Sequence, residues 1–136
     1  MSLDLIIISF YQNKYIMYHG PITIKHYKLS LGQNMLIVAS HQGPVENAKA
    51  TIALEGQNGH DINIHFIEDG EELPDPYFTD YGKSGGMYLH YSQFPHVVDM
   101  LRNERPIYGH IYASDSGDGR LWISTDAEPI GEGEEK

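Results

Sequence analysis

The sequence predicts a mainly β, single-domain protein, an antiparallel barrel or sandwich of about 7–9 strands with one short α-helix at 93–103 between late strands. Three observations carry this. Apolar and polar residues alternate along most of the chain, as on half-buried strands. The alternating segments are rich in Ile, Tyr and Thr and are bounded by Gly, Asn, Pro or Asp, residues that suit turns. Only "FPHVVDML" breaks the rhythm, with Phe94, Val97, Val98 and Leu101 at i, i+3, i+4 and i+7.

Strand-like segments fall at 3–11, 15–18, 21–31 and 35–40 in the first part of the chain. Within "PITIKHYKLSL" the apolar set changes parity, from Ile22 and Ile24 to Tyr27, Leu29 and Leu31. A regular strand cannot turn both sets to one side, so either a bulge lies near Lys25 and His26 or both faces are covered. The cleanest alternation is at 48–55, with Ala48, Ala50, Ile52 and Leu54 inward. Its expected partner, 61–67, turns Ile62, Ile64 and Phe66 inward, and "GQNGH" joins the two as a hairpin. "EDGEELPDPYFTDYGKSGG" has no clean period and reads as a long surface loop, mobile rather than functional. Further strands are expected at 87–91, 106–112 and 120–125, the last two joined through "ASDSGDG".

For the helix, Ser92 is the expected cap, and Pro95 falls in the first turn, where a missing N–H is harmless. Pro106 forces the helix to end before it. A lone helix this short is marginal in water, so its apolar stripe must lie on the strands. From residue 48 onward the order is strand, strand, strand, helix, strand, strand. An OB-fold has that order as well, an analogy of order alone for 48–125. The domain is expected to span 1–128, with 129–136 an acidic, flexible tail.

Composition narrows the function classes. The 136 residues suit one core, and the absence of Cys removes disulfides, thiolate metal sites and Cys nucleophiles while leaving the compartment open. With 9 basic against 19 acidic residues the formal charge is -10, which repels nucleic acid and anionic lipid and favours a basic partner. Eight His predict poor solubility near pH 5, as their protonation cancels most of that charge. "LIIISF" is too short to cross a bilayer and follows no basic residues, so the chain reads as soluble, with no transmembrane segment or signal peptide and no location specified.

The chemistry-bearing candidates gather after the helix. In "PIYGHIY", Tyr108, His110 and Tyr112 share one parity, and in "GRLWIST" Arg120 and Trp122 do. Paired as a hairpin, these make one face of aromatic rings with polar edges beside an Arg, suited to stacking a flat ligand or docking a peptide. Tyr88 and His90 are placed as an extension of that face from a neighbouring strand. The competing reading makes the same rings a second core, or ordinary cross-strand pairs on a half-exposed sheet.

Other chemistry is weakly marked. His60 and His65 are five apart, an odd offset that sends them to opposite faces, so they do not chelate together. Asp115 and Asp118 are what a turn uses. No metal and no cofactor are expected. Neither a Gly-x-Ser-x-Gly elbow, a phosphate-binding Gly loop nor His-Glu-x-x-His occurs, and no catalytic residue is identified.

The favoured reading is therefore a small acidic, non-enzymatic binding or interaction domain that engages a basic protein or flat ligand through the aromatic face. A homo-oligomeric structural protein using the same face is the alternative, and a hydrolase of unknown substrate is the third.

Overall fold

The computed structural model describes residues 5–11, 14–39, 43–114 and 119–127. In chain order the elements are β1 (Leu5–Tyr11), β2 (Lys14–Ala39), β3 (Gly43–Gly56), β4 (Asp61–Ile67), β5 (Tyr77–Thr79), β6 (Ser84–His90), α1 (Phe94–Asn103), β7 (Ile107–Ser114) and β8 (Gly119–Thr125). The strands form one sheet in the order β5-β6-β4-β3-β2-β7-β8, with β1 also paired to β2. The sheet curls into a half-barrel with the single short helix between late strands, as the alternation and the helical break predict. The expected tail at 129–136 and the turn residues Asp115 and Asp118 lie outside the described residues.

The hairpin over "GQNGH" forms as predicted, with Leu54 opposite Ile62 and Ala50 opposite Phe66. Its 3-10 turn (Gln57–Gly59) needs left-handed backbone at Asn58 and Gly59, which those residue types tolerate. The parity change in "PITIKHYKLSL" is a register shift between Ile24 and His26, the bulge expected there.

Several boundaries differ from the sequence reading. The segments at 15–18, 21–31 and 35–40 are one strand of 26 residues, because register shifts absorb Pro21 and Gly32 without breaking the ladder. The long loop contains β5, with Tyr77 buried. This connection also lets β6 return parallel to β4, the single parallel pair among the described residues. All other pairings are antiparallel. From residue 48 onward, β3 and β7 are separated by β2, so 48–125 is no separate barrel.

Side chains drive the curl. Ile22, Ala50, Ile52, Leu54, Ile62, Ile64, Phe66 and Ile111 are fully buried on the inner face. A Cβ at Gly109 of β7 would stand 2.6 Å from Ile62 Cδ1 of β4, although β3 and β2 lie between those strands in the ladder. Only a glycine lets Ile62 cross that interior. At the ends of the sheet, Leu121 of β8 approaches Gly85 of β6, and Phe78 of β5 lies against Gly119.

The helix closes the open side by burying Val97 and Leu101 on this core, with Phe94 packed edge-on to Phe66. Each of the two buried side chains contributes about 1.5–3 kcal/mol. Val98, predicted in the buried stripe, is half-buried beside a concavity. Ser92 does not cap α1. A 3-10 turn at Tyr91–Gln93 precedes the helix, and the Ser92 N–H donates to Asp69 Oδ1 at 2.9 Å.

Candidate functional site

On the outer face of β7 and β8 the ladder places His110 directly opposite Trp122, Tyr112 opposite Arg120 and Tyr108 opposite Ser124. The His110 and Trp122 rings stack at 4.6 Å with 6° between planes, closer and flatter than an ordinary cross-strand contact requires. β2 adds a third ring. Tyr18 sits opposite Tyr112, leans along its strand, and lies 6.1 Å from the His110 ring and 6.2 Å from that of Trp122, nearly parallel to both.

Gly20 makes this possible, since a Cβ there would fall 2.5 Å from Tyr18 Oη and 3.0 Å from His110 Nδ1. Arg120 holds its guanidinium 5.8 Å over the Tyr112 ring, and the Tyr108 hydroxyl donates to Asp126 at 3.4 Å. Trp122 is 41% exposed at the edge of the sheet, while Tyr18, Tyr108, His110 and Tyr112 are half-buried.

His110 is fixed at both nitrogens, 2.7 Å from Tyr18 Oη and 2.8 Å from Ser124 Oγ. Desolvation lowers its pKa, so the imidazole is neutral near pH 7. Ser, His and Tyr in a chain resemble a nucleophile, base and orienting group. Two concavities among the described residues, at Leu31 and Tyr91 and at Phe94 and Arg102, lie away from this chain of contacts, and the third member carries no carboxylate to stabilise an imidazolium.

Two of the seven expected site residues lie elsewhere. Tyr88 and His90 share the outer side of the sheet, but β4, β3 and β2 separate them from β7. Tyr88 is buried with Tyr77, Ile67 and Ala48 in a second small core. The ring of Tyr77 folds over Gly86, where any Cβ would collide with it, and so roofs this part of the sheet. His90 instead lies 2.7 Å from the Glu71 carbonyl, to which its Nε2 donates.

Under that roof is a polar relay that sequence reasoning missed. His65 Nε2 is 2.6 Å from Tyr77 Oη and its Nδ1 3.1 Å from Thr51 Oγ1. Burial lowers the His65 pKa to about 4. Burial also raises the Tyr77 and Tyr88 phenols. The signal for this cluster was present as the shared parity of Asn63, His65 and Ile67, but nothing in sequence indicated which residue would cover them.

The inner face holds a polar cluster, where the rings of His19 and His60 meet at 4.9 Å and His19 Nε2 lies 2.8 Å from Met17 Sδ. His60 Nδ1 donates to the Lys83 carbonyl at 2.7 Å. His60 and His65 do point to opposite faces, as their spacing predicts. Among the described residues, no three His, Asp or Glu side chains converge as a metal site needs, and no helix is long and apolar enough to cross a membrane. Comparison with protein-family models, curated proteins and solved structures gives no match.

Proposed function

We propose that the protein is a small, acidic, non-enzymatic interaction domain whose β7–β8 face receives a basic protein, an arginine side chain of the partner seating on the exposed ring of Trp122. The observation that carries this reading is the near-parallel stack of Tyr18, His110 and Trp122, which ends at the sheet edge in a half-exposed indole. An indole face attracts a cation, and a guanidinium is both cationic and flat enough to stack on it. Arg120 over Tyr112 is an instance within the same face. The formal charge of -10 steers a basic partner toward the domain.

Trp122 is the single tryptophan, so its emission reports directly on the site. Titration with an arginine-rich peptide and with a lysine-rich peptide of equal charge is expected to shift that emission more strongly for arginine. Trp122→Ala is expected to abolish binding. An uncharged planar heterocycle that shifts the emission where both peptides fail would move the reading to a flat ligand. Silence toward all three at millimolar concentration would remove it.

A further inference from the structure

On the β7–β8 face the histidine lies within the ring stack, not at its rim. β8 ends the sheet, and Trp122 presents one side of its indole to His110 at 4.6 Å with 6° between planes. With the indole 41% exposed, the opposite side is the one left for a guest. Imidazole and guest therefore share a single π system, one on each side of it.

The hydrogen bonds of His110 suit either protonation state. Its Nδ1 is 2.7 Å from Tyr18 Oη and its Nε2 is 2.8 Å from Ser124 Oγ. A neutral imidazole donates at one nitrogen and accepts at the other, whereas an imidazolium donates at both. Both partners are hydroxyls, which turn from donating to accepting without moving a heavy atom. The remaining titratable and charged groups of this face flank the ring. Arg120 lies over the Tyr112 phenol, and Asp126 accepts from the Tyr108 phenol, each at the next pair along the same side of the ladder. No carboxylate among the described residues contacts His110 to hold a proton on it, and desolvation keeps its pKa below the ordinary 6.5.

We propose, building on the arginine reading of this face, that His110 makes it proton-sensitive: an imidazolium on one side of the indole expels a guanidinium guest from the other, so a basic partner held at neutral pH is released on acidification. An uncharged imidazole leaves the negative face of the indole to the guest. A charged one engages that quadrupole itself and repels a second cation across the ring. Two unit charges about 8–10 Å apart, at an effective dielectric between that of water and about 20, correspond to a roughly two- to thirtyfold loss of affinity. Coupling is reciprocal, so guest binding lowers the His110 midpoint by the same factor.

The test measures the affinity of the arginine-rich peptide by calorimetry for the full chain and for His110→Gln between pH 7.5 and 4.5, with circular dichroism checking the fold at each pH. Seven of the eight His remain in the variant, as do all carboxylates, so the general loss of negative charge is common to both proteins. The native chain is expected to lose at least about threefold more affinity than His110→Gln over this range. Ser124→Ala keeps the imidazole but removes an acceptor that its charged form uses, so the His110 midpoint in an NMR titration, and the pH of release with it, is expected to fall. In the native chain, saturating peptide should lower that midpoint too. Peptide that fails to bind at pH 7.5 would remove the site and the proposal together. Binding at pH 7.5 that weakens in parallel in the native chain and His110→Gln would leave the site standing and overturn the proton-sensitivity alone. A His110 midpoint indifferent to bound peptide would do the same.

Discussion

Acidification should unfold this domain through one imidazole. His65 is 5% exposed, and burial holds its pKa at about 4 against 6.5 in the unfolded chain. Below pH 6.5 the unfolded state takes up a proton that the folded state refuses, so stability is complete above 6.5 and falls as pH drops toward 4. Linkage gives a loss of about 1.4 kcal/mol at pH 5.5 and about 2.5 kcal/mol at pH 4.5, relative to pH 7.5. Against a total of about 5–15 kcal/mol for a domain, that is a large share.

Urea unfolding of the native chain and of His65→Gln at the three pH values isolates this contribution, because the exposed carboxylates titrate in both proteins and cancel in the difference. His110, lowered in the same direction, is also common to both. Parallel loss of stability in the two proteins between pH 7.5 and 4.5 would refute the argument.

Three further outcomes follow from the packing. Tyr88→Phe is expected to be neutral or stabilising by up to about 1 kcal/mol in denaturant unfolding, because the buried Tyr88 hydroxyl has no hydrogen-bond partner among the described residues. Leu101→Ala is expected to cost about 2–5 kcal/mol, whereas Val98→Ala, at a half-buried position, should cost less than half of that in the same assay. Trp122→Ala should lower stability by less than about 1.5 kcal/mol, since a residue 41% exposed leaves no closed cavity. A loss of 3 kcal/mol there would mark the ring as core.

Local pattern explains what sequence could show. Ala50 to Leu54 and Ile62 to Phe66 alternate strictly and lie either side of a short turn, so both register and inner face follow from side-chain period and loop length. Ala48, expected inward with them, instead packs with Ile67, Tyr77 and Tyr88 in the second core, past the register shift between Leu31 and Met35. The helix is equally local. Tyr18 was invisible as a member of the aromatic face because its pairing with Tyr112 spans most of the chain, and no residue pattern encodes a partner at that distance. Tyr88 shows the opposite failure. Its parity correctly places it on the outer side of the sheet, but parity says nothing of what lies on top, and a three-residue strand inside an apparent loop supplies the cover.

That cover explains why two aromatic clusters on one side of one sheet differ so sharply. On β7 and β8 no strand among the described residues folds across the rings, and Trp122 is 41% exposed. On β4 and β6 the Tyr77 ring occupies the space that Gly86 leaves, and this ring is what keeps water from His65. Gly86→Ala therefore tests cause directly, since its methyl group would collide with the Tyr77 ring and lift it from the sheet. With the roof displaced, hydration of the imidazolium returns, and the His65 midpoint in an NMR pH titration should climb from about 4 toward 6.5. The acid sensitivity of the fold should shrink with it, even though overall stability at pH 7.5 falls. A His65 midpoint unchanged in Gly86→Ala would mean that the depressed pKa comes from the strands themselves and that the Tyr77 ring is incidental to it.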